Sequence, residues 1–497
     1  MSQMPNVPQS VVDTLTRVEA FARSKRVTYY LVGGLLRDQL LGRPLAYLNV
    51  DLAVARGALE QARALAAHLH GAFVPLDAAQ GTARVVIAMT EGGSSRRLEL
   101  DVSDWRGATL EEDLSRRDVT INAMAMALHD WLRDPHQPSP LIDPLNGRRA
   151  VERRQLLACF PGTFDDDPVR ILRVLRFVAQ LGFTAEAPLH DLMRRSIQGL
   201  SRVSGERIRE ELLAIFETDR AGEAVASLNQ LGALDVVFPE LTPGRDLDQG
   251  GFHHLDVLGH QLESVRQADA ILAGCAEFSE PLRQALASYC GEALVERRSR
   301  KSLIKLGALL HDVGKPANRQ VHPDGAIWFI GHEQTGAELA TQIVERLRLS
   351  NREAEMVCQL VRHHLRPGFL SREPQLTRRA IYRFYKDLGD NGPACALMWW
   401  ADRLATRGRL SRLDQIEQQR SRLEEMLRPY FFQVEEIVKP PRLVDGHRLM
   451  KDLRLSPGPL VGELLDLIEE AQAEGRVHQA DEAIALARER LKTARAP

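Results

Sequence analysis

Apolar residues recur every three to four positions across residues 9–25, predicting an amphipathic helix that leads into a first strand. From 28 to about 130 the pattern alternates between short apolar runs and helical spacing. Residues 29–32, 50–54, 72–76, 83–88 and 98–103 are expected strands, and 59–69 an expected helix. Glu91-Gly92-Gly93-Ser94-Ser95 reads as a hairpin loop, so part of the sheet is expected to be antiparallel. The whole stretch predicts a compact α/β unit. After about 150 strand signals almost vanish, and 169–181, 206–216 and 221–231 carry helical spacing. Residues 244–251 read as a loop into another helical block, 252–405. The remainder, 410–497, holds helices interrupted by Pro440-Pro441 and Pro457-Gly458-Pro459.

Length divides this picture further. At 497 residues the chain exceeds what one core supports, so three or four domains are expected. Hydrophobic residues make up 44% and charged residues 27%, an ordinary balance for a soluble globular protein. No run approaches the roughly 20 apolar residues of a membrane span. Residues 1–6 lack the basic lead and apolar run of a signal peptide. Cys159, Cys275, Cys290, Cys358 and Cys395 are dispersed without a CxxC pair. That usage fits a reduced cytoplasmic protein without thiolate zinc sites. A soluble cytoplasmic protein with no membrane partner is expected.

The net charge of −2 carries no global nucleic-acid signal, so any such signal must be local. Between 148 and 210 there are twelve Arg, no Lys and eight Asp or Glu, which makes that segment locally basic. Arg148, Arg149, Arg153, Arg154, Arg194, Arg195, Arg202, Arg207 and Arg209 are candidates for phosphate contacts. Helices with solvated, ion-paired faces would share this composition.

The chemistry begins at Tyr30-Leu31-Val32-Gly33-Gly34-Leu35-Leu36-Arg37-Asp38. Gly33 and Gly34 would let backbone N–H groups approach a phosphate between strand and helix, with Arg37 one turn further on. Asn49 and Asp51 share one face of the next strand by the period of two, and Asp101 lies on a later strand. Carboxylates converging from neighbouring strands are what a magnesium-assisted attack on a phosphate needs. Taken singly, a Gly-Gly turn and strand-end acids serve structure just as well. Downstream, Arg116-Arg117-Asp118-Val119-Thr120-Ile121-Asn122 precedes an expected apolar helix. In Asp166-Asp167-Pro168-Val169-Arg170-Ile171-Leu172-Arg173, Pro168 is expected in the first turn of a helix. Asp167, Arg170 and Arg173 would then share one face and could offer edge hydrogen bonds to a base.

Taken in order, these segments resemble the class II tRNA nucleotidyltransferase and bacterial poly(A) polymerase family across essentially the whole chain. The resemblance implies an α/β nucleotidyltransferase head with a small mixed sheet, followed by a largely all-α neck, HD domain and tail. The expected bounds are 1–27 for the leading helix, 28–147 for the head, 148–243 for the neck, 252–405 for the HD domain and 406–497 for the tail. It implies that Asp51 and the residue at 49 hold Mg2+, with Asp101 as third carboxylate. Gly33, Gly34, Arg37 and Arg117 would bind the triphosphate, and Asp167, Arg170 and Arg173 would read CTP and ATP. Two positions depart from the family pattern: Asn49 stands where it has Asp, and Asp166 where it usually has Glu. A carboxamide offers a metal one neutral oxygen, and losing that charge could cost on the order of 10²–10⁴ in rate.

A second constellation lies in 252–405: His260, then His311-Asp312 within Leu309-Leu310-His311-Asp312-Val313-Gly314-Lys315, then His332, His363-His364 and Asp402. Imidazoles with carboxylates suit divalent Mn, Fe, Co, Ni or Zn, and one ligand or pair per helix suits a site inside a bundle. The stretch resembles the HD superfamily of metal-dependent phosphohydrolases. That resemblance assigns His260, His311, Asp312 and Asp402 to its core and His332, His363 and His364 to additional metal ligation.

The expected activity is therefore template-independent addition of C or A, or both, to tRNA 3′ ends from CTP and ATP, with a metal-dependent phosphohydrolase in the HD domain. The alternative is an HD phosphohydrolase whose head, weakened by Asn49, has been repurposed for RNA or nucleotide binding.

Overall fold

The computed structural model describes residues 7–44, 49–91, 94–135, 140–295 and 298–494. They form two compact units, 1–203 and 204–497.

The first unit opens with α1 (Gln9–Lys25), whose Val11, Leu15, Val18, Phe21 and Ala22 form one buried face. Around a mixed sheet come β1 (Tyr30–Val32), α2 (Gly34–Leu40), β2 (Asn49–Val54), α3 (Ala58–Leu69), β3 (Ala72–Asp77), β4 (Thr82–Glu91) and β5 (Ser94–Asp104). α4 (Leu110–Ser115) and β6 (Ala125–Ala127) follow. The strand order is β3-β4-β5-β2-β1-β6, with β2 and β5 parallel and the remaining pairs antiparallel. β4 and β5 pair as the expected hairpin, although Gly92 and Gly93 of its loop lie outside the described residues.

Alternation decides which face is chemical. Val50 and Leu52 of β2, and Leu98, Leu100 and Val102 of β5, are buried in the core. By the period of two, Asn49, Asp51, Glu99 and Asp101 must emerge on the other face.

One expected helix is a strand. After a single 3₁₀ turn at Thr120–Asn122 the chain enters β6, which pairs with β1, and Ala125 also exchanges backbone hydrogen bonds with Ile142. An apolar run this short has no helical preference strong enough to resist an open sheet edge. The helix expected to begin around Pro168 also starts later. α5 spans Arg170–Leu181, Pro168 lies two residues before it, and Asp167 is extended at φ −151°, ψ 94°. The pyrrolidine ring of Pro168 disfavours the α region for the residue before it, which keeps Asp167 out of the helix.

The second unit is helical. α6 (Val257–Leu272), α7 (Arg300–Leu310), α8 (His332–Arg346), α9 (Asn351–His363) and α10 (Gly392–Ala405) surround its polar centre. Towards the C-terminus, Val444, Leu449, Leu464, Ile468, Ala483, Ile484 and Ala487 form a separate small core. Among the described residues no helix is long and apolar enough to cross a membrane.

Candidate functional site

In the head, strand register assembles the site. Parallel pairing sets Asp51 beside Asp101 and Asn49 beside Glu99. The antiparallel hairpin sets Arg84 beside Asp101, so Arg84, Asp101 and Asp51 form one row across three strands. Gly33 closes the end of that row. Its φ is +74°, and a β-carbon there would stand 2.8 Å from Oδ2 of Asp51, so both backbone and space require glycine. Gly34 opens α2, and Gly33 is its N-cap.

Charge at this corner is tightly partitioned. Arg84 donates from Nε to Oδ1 of Asp101 at 2.7 Å and from Nη2 to Oδ2 at 2.9 Å, while its Nη1 pairs with Glu99 at 2.9 Å. Asn49 directs Nδ2 towards Asp101 at 3.4 Å, and its buried Oδ1 has no hydrogen-bond partner. Burial, and behind it the Asp101 charge, raise the Asp51 carboxyl above its ordinary range, against Arg117, Arg173 and Arg37. One carboxylate beside an unsatisfied amide oxygen fits a single hard cation. It does not fit the ion pair of two-metal transfer, because Asn49 is neutral and Asp101 is bound in bidentate fashion to Arg84.

The expected triphosphate and base contacts have structural partners of their own. Arg37 is buried, donating from Nη1 to Asn122 Oδ1 at 2.8 Å, with its guanidinium 5.3 Å from the Phe177 ring centre. Arg117 pairs with Asp113 at 2.9 Å. Of the expected shared face, Arg170 and Arg173 lie three apart on α5 and both act on Asp118, whereas Asp167 stands extended before the helix. Arg170 is buried, donating to Thr163 Oγ1 at 2.8 Å and to the Arg116 carbonyl at 3.2 Å, with Asp167 4.0 Å away. Arg173 is 45% exposed and pairs with Asp118 at 2.8 Å. Burial opposes ionisation of Asp118, but Arg173 and the Val119 N–H hold its carboxyl below the usual range. Arg84, Glu99, Asp113, Asp118 and Asn122 went unassigned in the sequence. Register pairing was the signal that could have found Arg84.

The second unit brings six of its seven expected ligands together. His260, His311 and Asp402 form one group, and Asp312, His332 and His364 another, with ligand atoms within 4.8 Å inside each group. Asp312 joins the two. Its Oδ2 lies 3.1 Å from His311 Nε2 and 3.7 Å from His260 Nε2. Its Oδ1 lies 3.3 Å from His332 Nε2 and 3.6 Å from His364 Nε2.

Three imidazoles are aimed in the same way. The Nδ1 atoms of His311, His332 and His364 contact the carbonyls of Ala308, Phe329 and Val361 at 2.8, 2.6 and 2.7 Å. Each therefore turns Nε2 inward, the arrangement by which a backbone acceptor fixes a metal-binding tautomer. His311 Nε2 and Asp312 Oδ2 are both buried, and Lys315 Nζ lies 2.6 Å from the same carboxylate oxygen. Burial lowers the His260 imidazole despite Asp402, and burial with His311 lowers His364 to about 3. Burial also opposes a charge on His311, but Asp312 and Asp402 outweigh it and raise the group. Buried imidazoles and two carboxylates, with ligand atoms converging in two groups, fit divalent transition-metal ions.

His363 is the correction. It is half-buried beside Arg362, Arg366 and Asp387, away from the six, because consecutive helical residues diverge by about 100° and His364 already faces inward. Sequence reasoning also passed over Lys315 and His253. Lys315 pairs with Asp312 at 2.6 Å and donates to Gln249 at 2.6 Å, and His253 lies edge-on to His260 at 4.5 Å. Motif adjacency alone could have flagged Lys315.

A mixed sheet with an acidic row beside a glycine turn, followed by a helical unit with a histidine–aspartate centre, defines a nucleotidyltransferase carrying an HD domain. Models of the poly A polymerase head domain, the HD domain, and the probable RNA and SrmB-binding site of polymerase A match residues 29–157, 275–406 and 182–244. The chain is 34% identical to the A-adding tRNA nucleotidyltransferase of Deinococcus radiodurans, covering 91% of this chain and 93% of the relative. It is 33% identical to the CC-adding tRNA nucleotidyltransferase of Thermus thermophilus, over 91% of each. A solved apo CCA-adding enzyme shares the fold at a TM-score of 0.63 and 20% identity, covering 99% of this chain and 96% of that one. The Thermotoga maritima CCA-adding enzyme complexed with tRNA does so at 0.59 and 20%, covering 98% and 96%. The chain belongs to the tRNA nucleotidyltransferase family. Both domain types are metal-dependent, so divalent-metal dependence comes with the family.

Proposed function

We propose that the chain adds C or A, or both, to the 3′ end of tRNA from CTP and ATP without a nucleic-acid template. The observation that carries this is near-full-length relation to A-adding and CC-adding tRNA nucleotidyltransferases, with Gly33 packed on Asp51 in the head. In this reading the Gly33–Gly34 turn, Arg37 and Arg117 position the triphosphate. Asp51, with the amide oxygen of Asn49, would hold Mg2+, which neutralises phosphate charge when bound. Asp167, Arg170 and Arg173 select the nucleotide. Buried Arg170 does so by fixing the turn before α5, and half-exposed Arg173 by contact. In the first unit, Arg148, Arg149, Arg153, Arg154, Arg194, Arg195 and Arg202 face the tRNA backbone. Five cysteines without a disulfide support a cytoplasmic enzyme.

In the HD unit His260, His311 and Asp402, with Asp312, His332 and His364, would hold Mn, Fe, Co, Ni or Zn ions for phosphate ester hydrolysis. Such ions lower the pKa of bound water. Lys315 Nζ lies 2.6 Å from Asp312 Oδ2.

The test is incorporation from CTP or ATP into tRNAs ending at the discriminator base, at C or at CC. Incorporation into at least one end supports the proposal, and the accepting end identifies the product. No incorporation into any of them overturns it in favour of the second reading, an HD phosphohydrolase with a binding head, which Asn49 and the Arg84–Asp101 pair favour.

A further inference from the structure

The two faces of β4 separate chemistry from packing. Ala83 and Val85 are buried in the core, so Arg84 projects to the face carrying Asp51, Glu99 and Asp101. Its guanidinium occupies both oxygens of Asp101 and pairs with one of Glu99, committing both acids that β5 presents on this face. The Asp101 hydrogen bond raises the affinity of Arg84 for its proton still further, so this charge is permanent. Arg84 thus holds the acids that β5 presents on this face, and Asp51 is the carboxylate of the row that it does not hold. Asn49 follows the same logic: a second carboxylate at 49 would call for a second ion, whereas the amide donates towards Asp101 instead.

We propose that Arg84 stands in for the second metal ion of the head: fixed on Asp101 and Glu99, its guanidinium supplies the positive charge, and the head takes one divalent cation, at Asp51, with its nucleotide. This rests on the reading of the head as a nucleotidyltransferase site. Arg84 acts as a positioning residue through Asp101. Asn49 and Arg84 form a matched pair, each suited to the absence of the second ion.

The experiment counts Mn2+ ions bound to the full chain with α,β-methylene-CTP, by electron paramagnetic resonance, and subtracts the count of Asp51→Asn to isolate the head. One ion is expected for the wild type and for Arg84→Lys, and two for the Asn49→Asp/Arg84→Gln double variant. A wild-type difference of two or of none overturns the proposal, as does a folded double variant that stays at one. Independently of any variant, the rate of nucleotide incorporation should depend on free Mg2+ to first order, and second-order dependence overturns the proposal. One ion with no incorporation into any tRNA end would overturn the functional reading alone. Two ions with incorporation would overturn the Arg84 assignment alone.

Discussion

The carboxylate of Asp51 occupies the space a side chain at residue 33 would need: a β-carbon on Gly33 would stand 2.8 Å from its Oδ2. Because φ at Gly33 is +74°, Gly33→Ala strains the backbone and displaces Asp51 together. Strain of this kind costs about 1–3 kcal/mol. Incorporation of CTP or ATP should fall at least tenfold while the chain stays folded by circular dichroism. An unchanged rate would separate Asp51 from the reaction.

Asn49→Asp places an acid directly across the parallel pair from Glu99. With Arg84 still on Asp101 the added charge lacks the second ion it calls for, so incorporation into tRNA should not exceed wild type. The Asn49→Asp/Arg84→Gln double variant should rise over it, by as much as the ~10²–10⁴ a missing charge near a phosphoryl group can cost. A rate for Asn49→Asp alone well above wild type would break the matching of Asn49 with Arg84.

In the HD unit, His311→Ala with Asp312→Ala should abolish transition-metal content and phosphodiesterase activity, measured by elemental analysis and a cyclic-phosphate assay. His363→Ala should leave both unchanged, since that ring lies apart from the six. Loss of metal in His363→Ala would contradict the placement of α9.

With metal chelated, the stability of the HD unit should fall as pH drops from 7 towards 5. His260, His253 and His364 are held below the ordinary imidazole value, the last two at about 3, mainly by burial. The unfolded chain then binds more protons below about pH 6.5, so stability is present above that value and drains as pH falls. His311, raised by Asp312 and Asp402, acts in the opposite direction and is outnumbered. Thermal melts between pH 5 and 7 decide it, and a flat or reversed trend would show that His311 dominates.

Binding of tRNA should weaken steeply with salt if the arginines of 148–210 meet phosphates, each contact contributing about −0.9 to the slope of log K against log salt. A shallow slope in a fluorescence titration would move the RNA surface elsewhere.

Hydrophobic periodicity carried most of the architecture. α1 and the helix Ala221–Leu231 begin and end where the pattern placed them, and the hairpin of β4 and β5 follows its turn signal. Local patterning could not foresee β6, because its strand state depends on β1, almost 100 residues earlier in the chain. Residue identity likewise singled out Asp51, Asp101 and the six residues that converge in the HD unit, yet said nothing of Arg84, whose place comes from register across three strands. Of Asp167, Arg170 and Arg173 only the first leaves the expected helix, for a local reason, the proline that follows it. His363 and His364 could not be told apart by type; only the helix phase decides which one points inward.

The sharing of Asp312 has a consequence for metal uptake. One carboxylate with an oxygen turned to each half of the centre makes the halves interdependent: an ion held on the His260–His311 side would order the residue that the His332–His364 side would use. A first ion would therefore prepare the place of a second, and metal titration of the HD unit should be cooperative, passing from empty to filled over a narrow range of metal concentration.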